Sequence, residues 1–163
     1  MPSKQLKPAE SAEASAIRLL GKRDYSRSEL RRKLIGKGFS AGEVDGVLTQ
    51  FDTRGLLNDR KLAQRLAGYY SREKLWGPQR LLQKLVQRGI PVEMAREVMD
   101  QEEESGRTSE RLRAILRHKL KGQDSLSLSV QDKQRLANYL RQRGYAWDDI
   151  WEALQEIGGL LEE

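Results

Sequence analysis

One block of sequence occurs three times, and it decides what this chain can fold into. Leu30-Arg31-Arg32-Lys33-Leu34-Ile35-Gly36-Lys37-Gly38-Phe39, Leu81 to Ile90, and Leu136 to Tyr145 follow one pattern. Each has two leucines four apart, then a basic residue, a glycine and a large apolar residue. The apolar positions downstream correspond too: Val44, Val47 and Leu48; Ala95, Val98 and Met99; Ile150, Ala153 and Leu154. The glycines stand 51 and 55 residues apart. Self-similarity at such a period marks a repeat architecture, in which each unit buries its apolar face against a neighbour.

The block has a mechanical reading. If a helix ends at Lys37, Gly38 is the residue after it, where positive φ excludes most side chains. Leu34 and Phe39 are then the pair that meets in a Schellman cap. The same reading pairs Leu85 with Ile90 and Leu140 with Tyr145. Ser40 caps the following helix with Glu43 three residues on, a capping box beside a Phe39–Val44 staple. Pro91 suits a first helical turn, and Ala146 stands in the third copy in place of a capping side chain.

A further helix precedes each pair. Ala12 to Gly21 carries Ala16, Ile17, Leu19 and Leu20. Asn58 to Lys74 is capped by Asn58 and buries Leu62, Leu66 and part of Tyr69–Tyr70. Thr108 to Leu120 carries Leu112, Ile115, Leu116 and Leu120. Gly122-Gln123-Asp124-Ser125, with Ser127 and Ser129, is a longer loop, and Leu126–Val130 is assigned to it. The expected fold is therefore all-α: three tandem three-helix, helix-turn-helix-like repeats at 12–54, 56–104 and 106–163, behind a disordered segment 1–11. A unit of about 50 residues is marginal alone. Stacked neighbours would give an elongated, curved molecule.

Composition narrows the chemistry. The 163 residues include no cysteine and one histidine, His118. Disulfides, Cys-ligated zinc, thiol nucleophiles and His-pair metal sites are out of reach. No apolar run approaches the roughly 20 residues of a membrane span, and the start of the chain lacks a signal-peptide stretch. A cytoplasmic monomer without cofactor, metal or catalytic residue is expected. Thirty Lys and Arg against 24 Asp and Glu give a net charge of +6, which suits an anionic partner.

The charges are segregated. Second helices are basic: Arg27, Arg31, Arg32, Lys33 and Lys37; Arg80, Lys84 and Arg88; Lys133, Arg135, Arg141 and Arg143. Third helices are acidic, with three acids and no base over Ser40–Thr53 and six acids with one base over Pro91–Glu104. The segment 107–121 adds Arg107, Arg111, Arg113, Arg117, Lys119 and Lys121. Arg80, Lys84 and Arg88 recur every four residues along one stripe. A single stripe reads as a solvated face, but three in register put a phosphate-tracking role on equal footing. The candidate binding residues are Arg27, Arg31, Arg32, Lys33, Lys37, Arg72, Lys74, Arg80, Lys84, Arg88, Arg113, Arg117, Arg141 and Arg143.

Other chemistries fit less well. A helix-turn-helix docks its second helix in the major groove with Arg, Lys, Asn or Gln. The corresponding helices here offer Glu43, Asp45, Glu93, Glu97, Asp148, Asp149, Glu152 and Glu156, so duplex readout is disfavoured. Acids at Asp100, Glu102–Glu104 and Asp148–Asp149 admit a two-metal nuclease, against a plainer reading as helix-end acidity. Tyr69, Tyr70 and Trp76 beside Arg72 and Lys74 are candidates for base stacking, with core packing the simpler role. Gly36-Lys37-Gly38 lacks the spacing of a phosphate loop.

Four stretches resemble the RecX regulatory proteins of bacteria. Ala16-Ile17-Arg18-Leu19-Leu20 with Arg23, Ser26 and Glu29 to Leu34, ending at Lys37-Gly38-Phe39, is similar to the family's opening signature. Gly55-Leu56-Leu57-Asn58-Asp59 with Leu62-Ala63 resembles the entry to its second repeat. Trp76-Gly77-Pro78 with Arg80-Leu81, Leu85 and Arg88-Gly89-Ile90 is the most distinctive match. Leu140, Arg143-Gly144-Tyr145 and Asp149-Ile150 resemble the closing repeat. Leu56 and Leu62 replace aromatics common in the family.

The resemblance implies a non-enzymatic protein that binds the RecA recombinase and the RecA–single-stranded DNA filament. It implies restraint of filament extension, ATP hydrolysis, strand exchange and coprotease activity, in the service of recombination and repair. The alternative left open by the charges is a nucleic-acid-binding module that acts without the recombinase.

Overall fold

Serines start the first helices by the same physical device. Ser11, Ser26 and Ser40 hold extended backbone, and each hydroxyl accepts an N–H from three residues on. At Ser26 and Ser40 the glutamate three residues later returns the bond, closing two capping boxes. Asn58 does the same work through its carboxamide oxygen, which accepts Lys61 N–H at 2.9 Å. Ser129 caps with its hydroxyl on Asp132 N–H at 3.1 Å.

The structure, a computed structural model, describes residues 10–104, 106–121 and 127–159. Among them stand nine helices and no strand: α1 (Ala12–Leu20), α2 (Arg27–Ile35), α3 (Ala41–Thr53), α4 (Asp59–Glu73), α5 (Pro78–Gln87), α6 (Val92–Glu104), α7 (Arg107–Leu120), α8 (Val130–Gln142) and α9 (Trp147–Gly159). The expected disorder at the start and the loop Gly122–Ser125 lie outside the described residues, Glu10 and Ser11 excepted.

The three repeat turns are Schellman caps. Gly38, Gly89 and Gly144 have φ of +95°, +77° and +92°. Phe39 N–H reaches Leu34 C=O at 3.4 Å, Ile90 reaches Leu85 at 3.1 Å, and Tyr145 reaches Leu140 at 3.2 Å. The glycine N–H groups close the inner bond to Ile35, Val86 and Arg141. Leu34, Leu85 and Leu140 are fully buried. Each contributes roughly 2 kcal/mol by leaving water.

The chain forms two compact units, one running up to Arg65 together with Leu85–Ala95, the other Leu66–Lys84 with the chain from Arg96 on. In the first unit α1, α2 and α3 pack around Ala16, Leu30, Leu34, Val44, Leu48 and Phe51. In the second, α7 and α8 pack on α9 around Leu112, Leu116, Leu140, Tyr145 and Ile150.

Some local expectations differ. Ile17 is exposed, and Ser15 takes the inner position beside Ala12, Ala16 and Leu19. The 3.6-residue period puts those four on one face and turns residue 17 away. Val130 is the first residue of α8 rather than loop. Pro91 precedes α6, its carbonyl accepting Ala95 N–H at 2.9 Å. Leu62 is buried and Leu56 exposed, so of the two departures from the family's aromatics the first sits in packing and the second at the surface.

Candidate protein and nucleic-acid interface

The sequence places the basic and acidic helices apart, but much of that charge meets inside the fold. Arg31 on α2 binds Asp45 on α3 through Nε at 2.8 Å, and Arg27 binds Asp52. These pairs tie the second helix of the repeat to its third. On the second unit Arg113 of α7 grips Glu156 of α9 at 2.5 and 3.1 Å. The guanidinium beside each of Asp45 and Glu156 holds that carboxyl below its usual range. Intramolecular pairing therefore accounts for part of a pattern that the sequence alone refers to partners.

Arg88 is withdrawn further. Its Nε and Nη2 lie 2.7 and 3.1 Å from the Glu29 carboxylate, and Nη2 also donates to Asp24 C=O at 2.9 Å. The two side chains are 17% and 13% exposed. Burial pushes the Glu29 carboxyl up, but bonds from Arg88 and Ser26 N–H outweigh it and hold the group below its ordinary value. Arg80, Lys84 and Arg88 share a helical stripe, yet Arg88 is part of the first unit's interior. Removing it leaves a half-buried carboxylate without its partner, so Arg88→Ala is expected to cost about 2 kcal/mol.

The pH dependence has a definite sign. A depressed carboxyl stabilises the fold above its unfolded pKa and loses that contribution as pH falls through the folded value. Acid unfolding of the wild type should therefore include a component that Glu29→Gln lacks. Asp59 has the opposite sign: burial raises its carboxyl while Arg27 N–H donates to it at 2.9 Å. Protonating Asp59 favours the fold as pH drops through the raised value. Chemical denaturation of wild type, Glu29→Gln and Asp59→Asn between pH 7 and pH 3 would separate the two contributions. Equal slopes for all three variants would contradict this assignment.

Arg32, Lys33, Arg72, Lys74 and Arg117 have no acid partner among the described residues, while Lys37 interacts with the Glu10 carboxylate. Arg32, Lys33 and Lys37 project from α2 and its last turn and are exposed. With Arg23, Gly36 and Gln87 they line a surface hollow of about 540 Å³. Glu29 is its single acid and is already held by Arg88. Arg72, Lys74 and Arg117 are likewise exposed, on α4, just beyond it and on α7.

The second unit couples cations to aromatic rings. Tyr70 and Trp76 stack at 4.4 Å and 7°. Arg80 lies over the Trp76 ring at 4.2 Å, and Lys84 lies 5.8 Å from the Tyr70 centroid. Arg80 also donates to Gln142 C=O at 3.1 Å. Arg141 covers Trp147, which stacks on Trp151, and Arg143 covers Tyr139 and donates to Lys74 C=O. A guanidinium on a ring keeps its charge while losing rotamer freedom, so these cations are held in place. Tyr70 and Trp76 serve each other, and Tyr69 is the ring left 46% exposed.

Glu102 binds Arg107 at 3.3 Å and approaches Arg111 at 3.9 Å, so the acidic end of α6 meets the basic start of α7. Among the described residues no three His, Cys, Asp or Glu side chains gather to hold a metal ion. No helix there is long and apolar enough to cross a membrane.

Comparison with known proteins agrees with this architecture. The family models for the first, second and third three-helix domains of RecX match residues 12–51, 58–99 and 108–154. The chain is 34% identical over 160 residues to the regulatory protein RecX of Neisseria meningitidis serogroup B, covering 90% of this chain and 98% of the relative. To that of Trichlorobacter lovleyi it is 32% identical over 142 residues, covering 87% and 92%. The crystal structure of RecX from Lactobacillus salivarius superposes with a TM-score of 0.79 at 18% identity, over 90% of this chain and 94% of that one. The chain belongs to the RecX family of regulatory proteins.

Proposed function

We propose that this protein binds the RecA recombinase and the RecA–single-stranded DNA filament and restrains it. In this reading it limits filament extension, ATP hydrolysis, strand exchange and coprotease activity by occupancy rather than by chemistry of its own. It works in the cytoplasm without a cofactor. Family membership supports the regulatory role. The observation that carries the site is the set of exposed cations with no acid partner among the described residues: Arg32 and Lys33, with Arg72, Lys74 and Arg117.

The physical account begins with what a bound anion gains. A cation already paired inside the fold must break that pair before it meets a phosphate or carboxylate. An unpaired one offers its full charge, and each phosphate it neutralises releases counterions. Arg80, Lys84, Arg141 and Arg143 are pre-positioned on rings and lose less freedom on binding. Arg27, Arg31, Arg88 and Arg113 stay with their internal acids and hold the helices that carry the others. A protein that bridges filament subunits in this way opposes the movements that ATP hydrolysis and growth require.

Co-sedimentation with RecA filaments assembled on single-stranded DNA tests the reading. The protein should pellet with filaments at concentrations where it leaves the same DNA, without RecA, in the supernatant. Equal binding to naked DNA, with a steep salt slope, would instead favour a nucleic-acid module that acts without the recombinase.

A further inference from the structure

Two contacts within the chain are built alike, and each end of the repeat series carries one unmatched half of such a contact. In the first, the Arg88-Gly89-Ile90 turn sits on the start of α2. Ser26 hydroxyl donates to Arg88 C=O at 2.5 Å, and Arg88 pairs with Glu29, the third residue of α2. A Cβ on Gly89 would lie 2.8 Å from Ser28 Cβ. In the second, the Arg143-Gly144-Tyr145 turn sits on the start of α5. Gly77, the residue before that helix, donates its N–H to Arg143 C=O at 2.7 Å, and a Cβ on Gly144 would lie 2.5 Å from Arg80 Cβ. In both, the residue before a second helix donates to the carbonyl that precedes the glycine of the following repeat.

Among the described residues, the first turn and the last second helix have no such partner. Around Gly38 nothing lies within 4 Å of where a Cβ would be, and Lys37 C=O accepts no hydrogen bond among the described residues. Beside it opens a hollow of about 490 Å³ lined by Ala12, Phe39 and Val47 with three acids, Glu10, Glu13 and Glu43, of which Glu10 attracts the Lys37 ammonium. At the other end, α8 begins with Ser129, the counterpart of Ser26, and has Asp132 third, the counterpart of Glu29. Its first residue, Val130, is 83% exposed. Asp132 is half exposed; it accepts the Ser129 hydroxyl at 2.7 Å and pairs with Arg135 at 3.3 Å, both within the start of α8.

We propose that the Lys37-Gly38-Phe39 turn of one copy docks on the Ser129–Asp132 start of α8 of a second copy, repeating the contact that Arg88 and Ser26 make within the chain. The occupant is a second copy because this chain holds both halves with matching chemistry. Ser129 hydroxyl, which donates to Asp132 within the single chain, turns to Lys37 C=O as Ser26 hydroxyl does to Arg88 C=O, Asp132 meets the Lys37 ammonium, and Val130 enters the apolar side of the hollow. The contact joins different surfaces, so it extends from copy to copy. It is small, so the protein is a monomer in dilute solution and associates where copies are crowded. The proposal stands apart from the filament reading and needs no RecA.

Sedimentation equilibrium with charge reversals tests it. The weight-average mass of the wild type should climb with concentration towards multiples of the monomer. Lys37→Glu alone and Asp132→Lys alone should each weaken association about tenfold or more, because like charges then face each other. An equimolar mixture of the two should regain a dimer, since the acid of one variant meets the base of the other. Val130→Glu, at a position too exposed to disturb the fold, should abolish the rise in mass. Thermal melts matching the wild type would show each variant folded. A wild type that stays monomeric up to about 1 mM, the affinity range of a single small contact, would overturn the proposal. So would Val130→Glu associating as the wild type does, or a mixture of folded variants no heavier than either alone.

Discussion

Replacing Arg32 and Lys33 with glutamate is expected to raise the concentration needed for half-inhibition of RecA ATP hydrolysis by roughly 100-fold. The two side chains project from α2 into solvent with no acid partner among the described residues, beside a hollow whose one acid is occupied by Arg88. Two attractions lost and two repulsions gained, at about 0.7 kcal/mol each, come to about 2.8 kcal/mol, or two decades of affinity. The fold should not notice, since neither residue is buried or paired. A melting temperature within a degree or two of wild type would establish that. Arg27→Glu and Arg31→Glu make an instructive contrast. Those residues bind Asp52 and Asp45, so reversing them disturbs the α2–α3 contact rather than a free charge. Inhibition unchanged in the Arg32 and Lys33 double reversal would remove this patch from the mechanism.

The largest stability effect is expected at Gly144. Its φ of +92° is strained for any L side chain, and an added Cβ would come within 2.5 Å of both Arg80 N and Arg80 Cβ. Backbone on both sides prevents relief, because Gly77 N–H and Gln79 N–H already donate to the Arg143 and Gly144 carbonyls at 2.7 and 3.0 Å. Gly144→Ala should cost about 3–5 kcal/mol and lower the melting temperature by about 10 °C or more. Gly38→Ala meets the same positive φ in open space and should cost only about 1 kcal/mol. Comparable melting temperatures for the two variants would contradict the assignment of the Gly144 turn as a packed junction.

The contrast between these glycines also measures what a single sequence reveals. All three turns were legible, because a Schellman cap is local: Leu, basic residue, Gly and apolar residue lie within six positions. What fills the space around each glycine was not legible, since Ser26 and Ser28 lie some 60 residues from Gly89. The fold class followed from the repeated 3.6-residue patterning. An exception such as Ile17 comes from reading residue type ahead of period: the 3.6-residue spacing of Ala12, Ser15, Ala16 and Leu19 gives the buried face to a serine and leaves the isoleucine outside.

Charge was the least legible property. Helical spacing placed Arg80, Lys84 and Arg88 on one stripe, and it could not show that Arg88 turns onto Glu29 while Arg80 lies on Trp76. A signal was present in the Ser26–Glu29 spacing, which reads as a capping box and marks Glu29 as partly committed. The acids of α3 and α9 likewise answered bases of α2 and α7, a pairing that depends on how the helices pack. The rings of Tyr70 and Trp76 stack on each other, a contact that depends on how the chain turns between α4 and α5 and that spacing alone does not show.

The most direct test of the central claim is a titration of this protein into RecA hydrolysing ATP on single-stranded DNA, with binding to the same DNA measured in parallel without RecA. The account predicts that hydrolysis falls at a small fraction of the RecA concentration, while naked DNA remains largely unbound. Inhibition that begins only where the protein coats the DNA itself would contradict it and identify simple competition for the strand.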